Sequence, residues 1–432
     1  MGMANVKVVI IGNGIAGFSA ASTLRRLNRD RCHVTLISRE PHPLYSACVL
    51  PDYIAGELRQ EQVFVKSHKD YQNLNIETVL GREVKEIDTI HKKVALESGE
   101  PFPFDKLLLA TGSEPVVFEE LKKGVFKLKT LNDAEAILGH DGKKAVIIGA
   151  GAIGIEIGIA LRSRGYCVTI LEMLDQILPL GLDQKPADRI KGILEEHDIE
   201  VFNGERGEKI LGDEQVEGLL TNKREIACDT LVWAVGMRPR IELARKAGIA
   251  LGEKGGIRVN ARMETNLPDV YACGDCVESN DILTGEPYLN LFWHNANRQG
   301  TVAARNCMGT ESHYPGSQNV LNIDVFGNHI AGFGFTEATL YRFKDIKAFG
   351  GRISDLSIIE RERDGSYLRL VILGDRCIGG QFINVDQVRY GVGLLWSMMF
   401  RKRSVKELIR IFENEEMARR KPWLQRVRPF FK

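Results

Sequence analysis

Two glycine clusters carry the plainest chemistry in the sequence. Gly12, Gly14 and Gly17 have the spacing G-x-G-x-x-G, directly after the β-branched run VKVVII and at the opening of a small-residue stretch. Gly149, Gly151 and Gly154 repeat that spacing after KAVII, 137 residues later (Gly12 to Gly149). In such a motif the first glycine makes the tight turn and the second lets the backbone approach a pyrophosphate. The third lets helix and strand pack closely. The following helix offers its N–H groups and the positive end of its dipole to the anion. A carboxylate about twenty residues on takes a ribose hydroxyl. Glu40 stands 23 residues after Gly17, although the position that ends the strand is Ser38. Glu172 stands 18 residues after Gly154 and does end its strand. An acid at Glu172 repels a 2′-phosphate, and no Arg or Lys occurs in Met173–Gly181 to receive one, so the second site reads as NAD, not NADP.

Positioning these residues requires parallel sheets. Each cluster is followed by a second strand, His33–Ser38 (HVTLIS) and Cys167–Glu172 (CVTILE). The strands are apolar on both faces, as in a parallel sheet covered by helices. Asp105–Gly112 (DKLLLATG) and Asp229–Gly236 (DTLVWAVG) correspond between the two halves, and Pro268–Asp275 (PDVYACGD) is a further strand ending in glycine and acid. A helix is expected from about Asn295 to Met308. After Leu321 the composition changes: Ser354–Arg363 and Ser366–Leu373 read as alternating antiparallel strands, and the chain from about Val388 as helical. The fold class is therefore α/β, with two Rossmann-like units and a C-terminal α+β region.

Composition narrows the function. At 432 residues the chain is long enough for two to four domains. An apolar share of 44% and a charged share of 27% exclude a disordered chain. A net charge of +1 gives no general attraction to nucleic acid. No apolar run reaches the roughly 20 residues that span a bilayer, and no signal peptide is visible, so a cytoplasmic protein with reduced thiols is expected. Its 8 cysteines are scattered, unlike a secreted disulfide framework. Cys273-x-x-Cys276 lacks a second pair, so no metal site is expected. Trp293 and His294, just before the helix, are weaker candidates for a wall and a proton carrier.

As a joint pattern these motifs resemble the flavoproteins of the pyridine nucleotide–disulfide oxidoreductase superfamily. The carriers are both glycine clusters, Thr111–Gly112, Gly236 with Arg238–Pro239, and the run from Thr265 to Asp275. The resemblance implies FAD on the first cluster, with Gly12, Gly14, Ala16, Gly17, Glu40, Thr111, Gly112, Gly274, Asp275 and Asn295 as binding positions. Asp275 would hold a ribityl hydroxyl, and the helix from Asn295 would point its N-terminus at the flavin. NAD(H) would lie on Gly149, Gly151, Ile153, Gly154, Glu156, Glu172 and Gly236, with Glu156 near the nicotinamide. The implied domains are FAD-binding at 1–117, NAD(H)-binding at 118–253, FAD-binding again at 254–320, and an interface domain at 321–432 used for dimerisation.

Within the superfamily, Tyr45–Leu58 (YSACVLPDYIAGEL) is similar to the region around the single active-site cysteine of coenzyme A disulfide reductases and related NADH oxidases. Ser46, Cys48, Leu50, Pro51, Ile54 and Gly56 fit that pattern. Cys48 is thereby the expected catalytic residue, a thiolate that attacks a disulfide or polysulfide or reduces an oxygen species. The Y-A-P-P segment that ends those reductases is missing. The tail from Arg401 to Lys432 instead carries eleven basic and four acidic residues. That departure keeps a second reading open: an electron-transfer subunit that exchanges electrons between NAD(H) and an iron–sulfur protein, as in 2-oxoacid:acceptor oxidoreductases. The homodimer and the larger redox complex both stand as expectations.

Overall fold

In the computed structural model, residues 6–27, 31–119, 122–340 and 353–385 are described. The expected helical tail from Val388 and the basic segment 401–432 lie outside them. In chain order the elements used below are β1 (Val6–Ile11), α1 (Ile15–Leu27), β2 (Cys32–Ser38), α2 (Leu50–Ala55), β3 (Glu77–Leu80), β4 (Lys106–Leu109), β5 (Val125–Lys127), β6 (Lys144–Ile148), α3 (Ala152–Ser163), β7 (Cys167–Glu172), α4 (Gln184–Glu196), β8 (Ile199–Asn203), β9 (Thr230–Trp233), β10 (Val270–Ala272), α5 (Trp293–Cys307), β11 (Val320–Val325), β12 (Asn328–Gly334), β13 (Leu356–Arg363), β14 (Ser366–Leu373) and β15 (Arg376–Ile383).

The chain forms two compact units. Of the described residues, the first holds 6–27, 31–49, 58–114 and 237–317; the second holds 50–57, 115–119, 122–236, 318–340 and 353–385. In the first unit a parallel sheet runs in the order β10-β4-β1-β2-β3. Alternate residues of its strands feed two separate cores, as the two-sided apolar pattern requires. Val8, Ile10, Leu36 and Leu108 pack under α1 and α5; Val9, Ile11, Ile37 and Leu109 pack on the other face with Val84, Ile87 and Phe104. Ala244 and Ile249 belong to that second core. The chain therefore returns to the first unit at Met237, earlier than the boundary of 254 read from the sequence.

The second unit repeats the plan with the parallel order β8-β7-β6-β9-β5. In both sheets the strand that leads into the glycine turn, β1 or β6, is flanked by the next strand of the fingerprint on one side and by a later strand, β4 or β9, on the other. That reversal of strand order is the switch point at whose carboxyl edge ligands bind. The second unit also contains an antiparallel sheet in the order β11-β12-β15-β14-β13. The strands expected at Ser354–Arg363 and Ser366–Leu373 are two of its members, β13 and β14.

An ion network centred on the buried Asp183 joins that sheet to the start of α4. Asp183 precedes α4 and is 8% exposed as a side chain, and Arg369 on β14 is 13% exposed. Arg369 Nε donates to Asp183 Oδ2 at 2.9 Å, Nη1 to Glu360 at 2.6 Å and Nη2 to Glu337 at 2.7 Å. Gln381 Nε2 donates to Asp183 Oδ2 at 2.6 Å and its Oε1 accepts from the Asp183 N–H at 2.7 Å.

Candidate functional site

The glycine turns of the two units divide the same labour in the same way. A Cβ on Gly12 would collide with the carbonyl oxygen of Ala110, and one on Gly17 with the carbonyl oxygen of Gly12. Gly149 meets Ala234 and Gly154 meets Gly149 in the same fashion. Gly12 and Gly149 also have φ of +112° and +107°, where side chains are strained. Gly14 and Gly151 differ: a Cβ there would meet no atom within 4 Å. Outer glycines lock helix to strand, and the middle glycine leaves bare backbone facing open space, the shape a pyrophosphate needs.

The position two residues past the middle glycine shows how the units differ. Ala16 is buried, with its backbone against Gly300 of α5 and its Cβ 2.7 Å from where a Cβ of Gly274 would stand. Its role is to let α5 and the 274 turn close on α1. The equivalent Ile153 is 38% exposed on the first turn of α3.

Around the first turn, Glu40 is half-buried and its Oε2 accepts from the Tyr45 hydroxyl at 2.5 Å. Its N–H donates to Ser38 Oγ at 3.2 Å, so Ser38 serves the backbone of the residue that carries the carboxylate. Asn13 donates to the carbonyl of His42 at 3.0 Å and accepts from the Tyr71 hydroxyl at 2.8 Å, which fixes the loop that leads to Tyr45. Thr111 Oγ1 donates to the carbonyl of Arg240 at 2.8 Å, and the Arg240 N–H donates to the carbonyl of Gly112 at 2.9 Å. The half-buried Asp275 accepts from Ser113 Oγ at 2.9 Å. Gly274, with φ of +84°, donates its N–H to Gln299 Oε1 at 2.8 Å.

α5 begins at Trp293, so Trp293 and His294 are inside its first turn and not ahead of it. Asn295 is 3% exposed; its side chain donates to the carbonyl of Asn290 at 3.2 Å and accepts from the Tyr314 hydroxyl at 3.1 Å. It thus fixes the helix start from within. Cys273 and Cys276 are fully buried, and burial raises both thiols. Cys276 Sγ donates to the carbonyl of Cys273 at 3.3 Å, so the pair is part of the core.

In the second unit Glu172 is buried, and both of its oxygens are in use. One accepts from the N–H of Ala150 and the other from that of Leu174, each at 2.9 Å. The carboxylate first braces the glycine turn, and each oxygen keeps a lone pair for a sugar hydroxyl. Gly236 has φ of +109° and its carbonyl accepts from the N–H of Val116 at 2.9 Å. Glu156 sits half-buried on α3, and burial pushes its carboxyl up to about 8, with the Asp52 carboxylate on α2 adding to the rise. Burial likewise raises Asp52, with Glu57 and Asp324 contributing.

Cys48 is exposed and lies in the short turn Ala47–Val49. Upstream, the Ser46 N–H donates to the carbonyl of Val63 at 3.0 Å, and the carbonyl of Leu44 accepts from Val65 and Lys66. Downstream comes α2, whose Leu50, Pro51 and Ile54 are buried and which packs on α3. Arg164 after α3 donates to the carbonyl of Ile54 at 3.4 Å. Of the eight cysteines only Cys48 and Cys167 are exposed. Cys167 opens β7, at the end of the sheet away from the glycine turn.

The profile of the pyridine nucleotide-disulphide oxidoreductases matches residues 6–300. The chain belongs to that family. It is an oxidoreductase, and its cofactors are FAD and NAD(P)H. It is 34% identical over 419 residues to an NADH oxidase of Methanocaldococcus jannaschii, covering 93% of each chain. It is 32% identical over 346 residues to the NAD(P)H coenzyme A polysulfide/persulfide reductase of Pyrococcus horikoshii, covering 77% of this chain and 76% of that one. Among solved structures it is similar to an NAD-dependent persulfide reductase from A. fulgidus, with a TM-score of 0.84, 28% identity, and coverage of 94% of this chain and 78% of that one.

The two bare-backbone glycines are what this oxidoreductase's cofactors require, so the residues present fit both dinucleotides. Sequence reasoning missed Gln299, Ser113 and Arg240. Ser113 had one signal, two residues past Thr111 on the same turn. Gln299 stands between Arg298 and Gly300 in NRQGTVAA, and nothing local marks which backbone group it reaches. No helix among the described residues is long and apolar enough to cross a membrane.

Proposed function

We propose that the protein is an FAD-dependent NADH oxidoreductase that reduces a sulfur–sulfur bond through Cys48. In this reading FAD rests on Gly12, Gly14 and Gly17 with Glu40, Thr111, Gly112 and Asp275. NADH rests on Gly149, Gly151 and Gly154 with Glu172, and Glu156 faces the nicotinamide end. The reaction is NADH + H⁺ + RS–SR′ → NAD⁺ + RSH + R′SH. Bound FAD supplies the two-electron exchange between nicotinamide and acceptor. The Cys48 thiolate attacks one sulfur of the acceptor; the S–S bond breaks, and the first thiolate leaves and takes a proton. Cys48 is then held in a mixed disulfide. Two electrons that entered as hydride break that bond, free the second thiol and restore the Cys48 thiolate.

The observation that carries this reading is the placement of Cys48. It is an exposed thiol whose own chain continues, two residues on, into the helix packed on the NAD(H) fingerprint helix. The relatives that reduce persulfide or polysulfide support a sulfur acceptor, and the NADH oxidase supports oxygen as the competing one. Eight cysteines scattered along a long chain support a reducing, cytoplasmic location.

The test is anaerobic stopped-flow on the FAD-loaded protein and on Cys48→Ser. NADH should bleach the flavin at similar rates in both. Reoxidation by a low-molecular-weight disulfide or by polysulfide should fall on the order of 100-fold or more in C48S, and a long-wavelength absorbance band of the reduced enzyme should vanish with it. Equal reoxidation of the two proteins by sulfur species refutes the role of Cys48. Slow reoxidation by sulfur species and oxygen alike, with fast reoxidation by artificial dyes, points instead to a protein acceptor such as an iron–sulfur partner.

A further inference from the structure

Gln299 lies on α5, is 2% exposed, and uses every polar atom of its amide. Its Oε1 accepts from the N–H of Gly274 at 2.8 Å. Its Nε2 donates to Ser279 Oγ and to Ser317 Oγ, both at 3.2 Å. The two serine hydroxyls are 2.7 Å apart, and Ser317 Oγ lies 3.1 Å from the Tyr314 hydroxyl. Tyr314 donates in turn to Asn295 Oδ1, and Asn295 donates to the carbonyl of Asn290. All five side chains are at least nine-tenths buried.

One unbroken line of hydrogen bonds thus runs from the first turn of α5 to the peptide N–H of Gly274, the residue before Asp275. Asp275 is braced from its other side by Ser113 Oγ. The Gly274 turn has little freedom of its own: φ is +84°, and a Cβ there would stand 2.7 Å from the Cβ of Ala16. Gln299 is followed by Gly300, where a Cβ would collide with the Ala16 backbone, so the amide sits beside the point where α5 lies against α1.

We propose that Gln299 is a positioning residue for the flavin: its amide sets the Asp275 carboxylate in register with the start of α5, so that one buried network places both groups that hold FAD. The proposal rests on the reading of Asp275 as an FAD ligand. Gln299 touches no cofactor and acts through Gly274. The physical requirement at the Gly274 end is an acceptor, because a buried N–H left unpaired is costly. At the other end a donor is dispensable, since a serine hydroxyl can turn and donate instead.

The experiment compares Gln299→Met, Gln299→Glu and Asp275→Ala as full-length holoprotein. FAD affinity is read by flavin fluorescence during release and reconstitution with free FAD, together with the visible spectrum, the flavin reduction potential and the thermal midpoint of the apoprotein. Q299M, whose thioether sulfur is only a weak acceptor, should weaken FAD binding roughly ten- to a hundredfold and shift the spectrum and the potential. Q299E keeps the acceptor and should bind FAD within about threefold of wild type. Wild-type FAD affinity, spectrum and potential in Q299M overturn the proposal, as does a loss in Q299E equal to that in Q299M. Where Q299M does not fold, Gln299→Ala carries the same two outcomes. D275A separates the layers. If D275A also binds FAD normally, the reading of Asp275 has failed; if D275A loses FAD and Q299M does not, Gln299 alone is excluded.

Discussion

Replacing Glu156 by glutamine should change the pH dependence of stability in a direction that can be worked out in advance. Glu156 is half-buried on α3, and burial with the nearby Asp52 carboxylate raises its carboxyl from 4.5 to about 8. Below about pH 4.5 the carboxyl is neutral in the folded and unfolded chain alike and contributes nothing. Between 4.5 and 8 the unfolded chain ionises while the folded one keeps its proton, so the unfolded state binds fewer protons and stability falls as pH rises. Above about 8 the penalty is complete and flat. A shift of about 3.5 units at about 1.36 kcal/mol each sets a ceiling near 4.8 kcal/mol. Solvent reaches the half-buried side chain and reduces this, so about 2 kcal/mol is the expected penalty. Glutamine is a neutral isostere and removes it. E156Q should match the wild type near pH 5 and unfold at a higher temperature at pH 8.5, by roughly 4 °C or more for a unit of this size. The assay is thermal unfolding of the FAD-loaded protein between pH 5 and 9, followed by tryptophan fluorescence. Asp52→Asn should show a smaller gain of the same sign, because burial outranks Asp52 among the causes. Parallel curves for wild type and E156Q, or an E156Q protein less stable at pH 8.5, refute the reasoning.

Two further outcomes follow from packing and charge. Gly151→Ala puts a methyl group where no protein atom lies within 4 Å, so it should leave the thermal midpoint and FAD content unchanged while raising the KM for NADH on the order of tenfold in a ferricyanide assay; Gly154→Ala collides with the Gly149 carbonyl and should lower the midpoint instead. The reverse pattern would show that the middle glycine does not face the nucleotide. Arg369→Met leaves the buried Asp183 carboxylate without its guanidinium, which should cost about 3 kcal/mol and lower the thermal midpoint by roughly 6 °C or more; a change under about 2 °C would mean that Gln381 and the Ala338 N–H, which donates to Asp183 Oδ1 at 3.2 Å, alone satisfy Asp183.

The parallel sheets were legible because their strands had to be apolar on both faces and each glycine turn had to carry three glycines at fixed spacing. Those are covalent and steric demands that a single sequence displays. The return of the chain at Met237 was not legible, since Ala244 and Ile249 look like ordinary helix residues until the core they enter is known. Glu172 was legible as an acid at a strand end; its grip on the Ala150 and Leu174 N–H groups was not, because backbone donors leave no mark on composition. Gln299 was hidden for the same reason. Its partners are a glycine N–H 25 residues earlier and two serines 20 residues before and 18 residues after it, and no periodicity links such positions.

The contrast between Ala16 and Ile153 explains why two copies of one motif need not perform alike. Both stand two residues past the bare glycine. Ala16 is small because α5 lies on it through Gly300, so the first turn is clamped from outside the motif as well as from within. Ile153 stays 38% exposed on its helix. A cofactor that remains bound through many turnovers is served by the clamped version, where loosening the site means separating α5 from α1. A cosubstrate that must arrive and leave each cycle is served by the open one. The motif sets where a pyrophosphate can approach; the residue behind it, by admitting or refusing a second helix, sets how firmly the site is held.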